Sequence, residues 1–90
     1  MFNGIIFNQG IVKKIIADKK GRRIFIQPKL PFKKKIGMSI ACDGVCLTLL
    51  SFKNKNLEFY LLDETIKRSK FKYLKIGDMI NLELPLKYGQ

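Results

Sequence analysis

Apolar and polar positions alternate with a period of two over much of the chain, and turn residues interrupt the alternation at short intervals. That is the pattern of extended strands with one buried face. Arg22–Gln27 is a clear case: Ile24 and Ile26 point one way, and Arg23, Phe25 and Gln27 the other. Upstream, Met1–Ala17 opens apolar at Phe2, Ile5, Ile6 and Phe7, passes Asn8-Gln9-Gly10, and resumes at Ile11-Val12 and Ile15-Ile16. It reads as one long strand bent or bulged at Gly10, or as two short strands. Asp18-Lys19-Lys20-Gly21 supplies the turn between the two stretches. Pro28 and Pro31 end the second strand, because proline cannot donate to a ladder. Phe32–Ile36, with Lys33-Lys34-Lys35, leads to Gly37 as a loop or a single helical turn.

Ser39–Leu50 predicts a hairpin. Asp43-Gly44 is a strong short hairpin signal, since a two-residue turn wants positive φ at both positions. Ile40 and Cys42 fall on one face and Ser39 and Ala41 on the other. Val45–Leu50 returns as an apolar strand with one hydroxyl, Thr48. That composition suits a barrel core, or the wall of an apolar pocket with one polar contact. Asn54-Lys55-Asn56 is a further turn, and Leu57–Leu62 the strand after it. Asp63 then reads as a helix cap, with Glu64 in the first turn and Lys67, Arg68 and Lys70 toward the end, the sense the helix dipole prefers. That spacing gives a helix of about two turns. Gly77-Asp78 turns into a last strand, Met79–Leu84, closed by Pro85.

The sum is about six short antiparallel strands and one short helix in a single all-β domain, residues 1–90. A closed or nearly closed barrel follows, because so small a sheet must cover its edges.

Charge adds a candidate partner. The chain has 18 Lys plus Arg against 7 Asp plus Glu. Such an excess suits polyanions, phosphates or a membrane surface, and it also follows from a Lys- and Asn-rich residue usage with no function attached. The absence of histidine excludes His-based acid–base chemistry, Ser-His-Asp triads and most zinc sites. Cys42 and Cys46 flank the hairpin turn on positions that do not pair, so a bridge between them is geometrically awkward. Free, mostly buried thiols in a reducing cytoplasm are the expectation. No apolar run is long enough for a signal peptide or a membrane span.

Three stretches together resemble the lumazine-binding repeat of the riboflavin synthase alpha chain family. Met1-Phe2-Asn3-Gly4-Ile5-Ile6 is similar to the family's Met-Phe-Thr-Gly-Ile opening. Ser39-Ile40-Ala41 followed by Gly44-Val45-Cys46-Leu47-Thr48 resembles its Asn-Gly-Val-Cys-Leu-Thr hairpin. Glu64-Thr65-Ile66-Lys67-Arg68, then Gly77-Asp78 and Asn81-Leu82-Glu83, resembles its Glu-Thr-Leu-x-Arg helix and Gly-Asp-x-Val-Asn-Leu-Glu strand. Asn3, Asp43 and Lys72 stand where the family has Thr, Asn and Gly; Asp-Gly serves the turn as well as Asn-Gly.

The resemblance implies a six-stranded antiparallel Greek-key β-barrel, used twice per chain in the family, with a C-terminal helix that assembles a trimer. It implies a dismutation in which one dimethyl-ribityl-lumazine gives a four-carbon unit to another, yielding riboflavin. No metal or organic cofactor takes part; lumazine or riboflavin is the ligand. The family's site lies between a first barrel and a second barrel of a neighbour. The ninety residues match the first repeat, so the expectation is a ligand-binding barrel, self-associating as a homodimer or homo-oligomer, with little or no synthase activity by itself.

The residues this places at the ligand are Gly4, Ile5 and Ile6, then Cys46, Leu47 and Thr48, then Tyr60, Leu61 and Leu62, then Asp63, Glu64 and Thr65. A flat ring rich in donors and acceptors is read well by the backbone of an exposed strand. Thr48, and the carboxylates and hydroxyl of Asp63, Glu64 and Thr65, suit ring or ribityl contacts. Read without the family, Thr48 satisfies barrel backbone, Asp63 caps the helix, Cys46 fills a core, and Phe2 packs at a barrel mouth or covers a ligand. The alternative function is a small basic OB-like barrel binding nucleic acid at Lys13-Lys14, Lys19–Arg23 and Lys33–Lys35. Against it, these clusters are scattered and no aromatic pair forms a stacking pattern.

Overall fold

The structure, a computed structural model, describes residues 5–85. Its elements are β1 (Ile5–Ala17), β2 (Gly21–Pro28), β3 (Ser39–Cys42), β4 (Val45–Thr48), β5 (Ser51–Lys53), β6 (Asn56–Leu62), α1 (Asp63–Lys67), a 3-10 turn at Lys70–Tyr73, and β7 (Met79–Pro85). All strand pairs are antiparallel. The order across the sheet is β4-β3-β7-β1-β2-β6-β5.

The two outermost strands, β4 and β5, are neighbours in sequence, and this curls the sheet into a barrel. Val45–Lys53 is one run of chain bent at Leu49-Leu50. Before the bend it bonds to β3, and the Leu49 N–H still donates to the Met38 carbonyl at 2.9 Å. After the bend it bonds to β6, and the Leu50 N–H donates to the Glu58 carbonyl at 2.9 Å. The alternation predicts about six strands; the seventh paired segment arises because a single strand serves both edges. The all-β barrel with one short helix is as the sequence pattern predicts.

Turn chemistry sets the registers. Asp43 (φ 48°) and Gly44 (φ 85°) both adopt positive φ, as do Asn54 and Lys55 between β5 and β6. Two-residue turns of this hand match the twist of their strands. The first puts Ala41 opposite Cys46 and Cys42 opposite Val45, so the cysteines are indeed unpaired positions.

The first strand departs from expectation. It is continuous from Ile5 to Ala17, and its register shifts between Val12 and Lys14, not at Gly10. The extra residue lets Lys13 and Lys14 both face solvent beyond buried Val12. Gly10 has another role: a β-carbon there would overlap the Ile26 side chain, so glycine lets β1 cross close over β2.

The core is filled from the inward faces of the strands other than β5 by fully buried Val12, Ile24, Ile26, Leu57, Phe59 and Leu82 among others. The return strand is not an apolar wall, as its composition suggests. Leu47 and Leu49 enter the core, whereas Cys46, Thr48 and Leu50 face outward. Ile66 of α1 and Phe71 of the 3-10 turn plug one end against Ile24 and Leu61. The helix has five residues rather than about two turns. Ser69 ends it in an extended conformation, and its Oγ accepts from the Phe71 N–H at 3.2 Å.

Candidate functional site

Of the twelve residues the sequence singles out, the eleven that the structure describes fall into two groups in space. Cys46, Leu47 and Thr48 occupy β4; Tyr60, Leu61 and Leu62 end β6; Asp63, Glu64 and Thr65 begin α1. The bend at Leu49-Leu50 lays β4 alongside the C-terminal half of β6, so these nine residues gather at the closing seam of the barrel. The start of β1 lies across β7 and β3 from them. Ile5 pairs with Pro85, and the β3–β7 register, continued from Ala41 opposite Glu83, brings Ser39 level with Pro85. Ser39 in turn pairs with Thr48. Gly4 and Phe2 lie outside the described residues.

The seam has unusual hydrogen bonding for a sheet interior. β5 pairs with β6 only over Asn56–Glu58. Beyond Glu58, the outer edge of β6 through Leu62 has no ladder partner among the described residues. Among the described residues the edge of β4 turned away from β3 has no ladder partner either. Two strips of peptide N–H and C=O groups therefore border one groove, the arrangement by which a sheet edge receives an extended or planar partner.

Side chains at the seam are mixed. Leu47 and Leu61 are buried in the core, so they can reach a ligand only through backbone. Cys46, Thr48, Leu62, Asp63 and Glu64 are exposed, and Tyr60 and Thr65 half-buried. Cys46 is thus not the buried thiol expected. It sits on the outer side of an alternating strand, while Cys42 points inward, where burial pushes its thiol up from the usual range. Asp63 does not cap the helix. Leu62 holds the cap position with extended backbone and no side-chain bond, and Asp63 lies in the first turn with its N–H donating to the Lys20 carbonyl at 2.9 Å.

Tyr60 contributes more than backbone. Its hydroxyl donates to Asp18 Oδ1 at 2.9 Å and Oδ2 at 3.1 Å. The Lys20 N–H and this phenol hold the Asp18 carboxyl below its usual range, and Asp18 holds the phenol of Tyr60 above its own.

Two residues beside the seam are missing from the predicted set. Exposed Ser39 and buried Ala41 lie in the same cross-strand rows as Thr48 and Cys46, beside the groove. The Asp43-Gly44 turn alone fixes those rows, so the register was the available signal.

Four pockets bordered by described residues lie elsewhere. One, of about 460 Å³, collects Lys14, Arg23 and Lys53 around Phe25 and Glu58 on the outer face. Arg23 is committed there to Glu58 at 3.1 Å, and Glu58 also accepts from Ser51 Oγ at 2.6 Å. Two more flank Leu30, and the fourth is a small apolar void beneath α1. Among the described residues no helix is long and apolar enough to cross a membrane.

Comparison with known proteins converges on the same stretch of sequence. The lumazine binding domain family matches residues 3–85. Riboflavin synthase of Chlamydia pneumoniae is 35% identical over 99% of this chain and 46% of its own length. Riboflavin synthase of Escherichia coli is 32% identical over 99% of this chain and 43% of its own length. That of Buchnera aphidicola subsp. Baizongia pistaciae is 30% identical over all of this chain and again 43% of its own. The chain therefore spans less than half the length of these relatives.

Proposed function

Since the chain belongs to the lumazine-binding domain family, we propose that it binds a lumazine or riboflavin ring in the groove between β4 and the end of β6. The observation that carries this reading is the pair of backbone edges, Val45–Thr48 and Phe59–Leu62, that lack a ladder partner among the described residues and flank the groove at the barrel seam. A pteridine-like ring carries alternating donors and acceptors along one side and presents flat apolar faces. Peptide groups of the two edges satisfy the first, and the small exposed side chain of Cys46 accommodates the second. The Thr48 and Thr65 hydroxyls and the exposed carboxylates of Asp63 and Glu64 suit the polyol tail. The backbone of Ile5 and Ile6, paired with β7, borders the site from the other side, and Gly4 belongs to the same family motif.

For turnover, two rings have to be stacked and oriented, so the protein's contribution is chiefly positioning. One groove holds one ring. A second copy of this barrel would bring a second ring, but a two-fold operation places identical faces together, whereas unlike barrels create an asymmetric pair. The proposal is therefore a binding domain of the riboflavin synthase type with little or no synthase activity as a lone barrel. No metal or organic cofactor enters it.

Titration of riboflavin with the purified chain tests the binding. Quenching of flavin fluorescence that saturates with protein is expected, and an unchanged signal at micromolar protein would count against the groove. Riboflavin formation from saturating lumazine tests the second part. Turnover matching that of the longer relatives would refute weak activity.

A further inference from the structure

Among the described residues the end of β6 has no ladder partner on the side of β4, and its other side is where it is held. There Tyr60, Leu61 and Leu62 pair with Arg23, Arg22 and Gly21 of β2. The turn that opens β2 is built on one carboxylate. Asp18 Oδ1 accepts from the backbone N–H of Lys20 at 2.8 Å and of Gly21 at 2.9 Å. The same carboxylate receives the Tyr60 hydroxyl through both oxygens. The Lys20 carbonyl, in the same turn, receives the Asp63 N–H. Gly21 closes the arrangement, since its lack of a side chain lets the turn press against the Leu61 carbonyl. Three bonds thus run from Tyr60 to Asp18, from Lys20 to Asp18, and from Asp63 to Lys20. They brace the chain from the end of β6 to the start of α1 from the face opposite the groove.

We propose that Asp18 and Tyr60 are positioning residues for the ligand: their hydrogen bond holds the Tyr60–Asp63 backbone in the geometry that receives the ring. The inference rests on the lumazine or flavin reading of the groove. A ring gripped by peptide groups needs those groups placed within a fraction of an ångström, and a strand end that lacks a neighbour frays unless it is tied down elsewhere. Tyr60 acts through the backbone it anchors, because its hydroxyl is already engaged by Asp18.

The test measures riboflavin affinity by fluorescence quenching, together with amide exchange at Asp63, in the full chain. Tyr60→Phe keeps the ring and removes the hydroxyl, and Asp18→Ala removes the carboxylate. Tyr60→Phe is expected to weaken binding about fivefold, the size of one lost hydrogen bond, Asp18→Ala, which also frees the Lys20 and Gly21 N–H groups, at least as much, and both to speed exchange at Asp63. Asp18→Asn keeps an acceptor at the Oδ1 position and is expected to restore most of the affinity. The Tyr60→Phe, Asp18→Ala double variant should bind no more weakly than Asp18→Ala alone, because both changes break one link. Ser51→Ala removes a comparably short bond at the other end of β6, and its affinity should stay at the wild-type value. If wild type binds and Tyr60→Phe binds equally well while exchange at Asp63 rises, the positioning role is overturned and the groove stands. If wild type itself leaves flavin fluorescence unchanged, both fall.

Discussion

Gly21 lies directly against the main-chain carbonyl of Leu61: a β-carbon added to the glycine would overlap that oxygen. The obstacle is backbone in a paired strand, so it cannot rotate away. Gly21→Ala is expected to destabilise the barrel at the upper end of the roughly 1–3 kcal/mol typical of overpacking. Gly10→Ala meets first the Cγ2 methyl of fully buried Ile26, a side chain rather than backbone, and should also destabilise but cost less. Thermal melts of the two variants check the order; equal melting temperatures would contradict it.

The two thiols should separate cleanly by reactivity. Cys46 is exposed, whereas Cys42 is buried with its thiol pushed up, which keeps it protonated. An aromatic disulfide reagent is expected to modify one thiol quickly and the second only on unfolding. Saturating riboflavin should slow the fast reaction, because Cys46 borders the proposed groove. Peptide mapping of the labelled chain identifies the site, and fast labelling at Cys42 would overturn the assignment of faces.

Glu58 gives the barrel an acid-sensitive element. The Ser51 hydroxyl first, and Arg23 after it, hold its carboxyl below the ordinary value. A depressed folded-state value means that the stabilisation is complete above the unfolded-state value and is lost as pH falls through the folded one. Ser51→Ala should therefore be less stable than wild type at neutral pH, with a gap that narrows in acid once Glu58 is protonated in both states. Urea melts at a series of pH values measure the gap, and a constant difference would refute the link.

Asn8 is a buried polar side chain on β1, and it is satisfied by the loop that follows β2. Its Nδ2 donates to the Leu30 carbonyl at 2.8 Å, and its Oδ1 accepts from the Leu30 N–H at 3.2 Å. Asn8→Ala removes both hydrogen bonds that tie the exposed Leu30 backbone to β1. A cost of about 1–3 kcal/mol is expected. Hydrogen exchange at the Leu30 amide should rise with it; a slow amide in the variant would show that the loop is held by other means.

Much of this molecule is legible in its residues, and the exceptions share a cause. Asp43-Gly44 and Asn54-Lys55 announce their turns because positive φ is a local demand. The face of Cys46 is decided by which side of a barrel is inside, and a stretch such as Val45–Leu50, apolar on both faces, does not encode that. Asp63 looks like a cap because its residue type is right, but β6 runs directly into the helix, and the carbonyl that receives the Asp63 N–H belongs to Lys20, far away in sequence. Gly21 resembles any turn glycine until Leu61 is found against it. The family motifs mark the groove's residues, while the support behind the groove, Asp18 with Tyr60, depends on a long-range pairing that no motif contains.

The position of β7 bears on how the chain acquires its shape as it is made. Met79–Pro85 lies between β3 and β1 and pairs with both. While the chain is still emerging from the ribosome, the hairpins β1–β2, β3–β4 and β5–β6 have all they need to form. The facing borders of β1 and β3 nevertheless stay bare until residues close to position 85 have been added, and bare borders invite pairing with other molecules. β7 is thus the keystone: two separately formed hairpins become one sheet only when it is inserted between them.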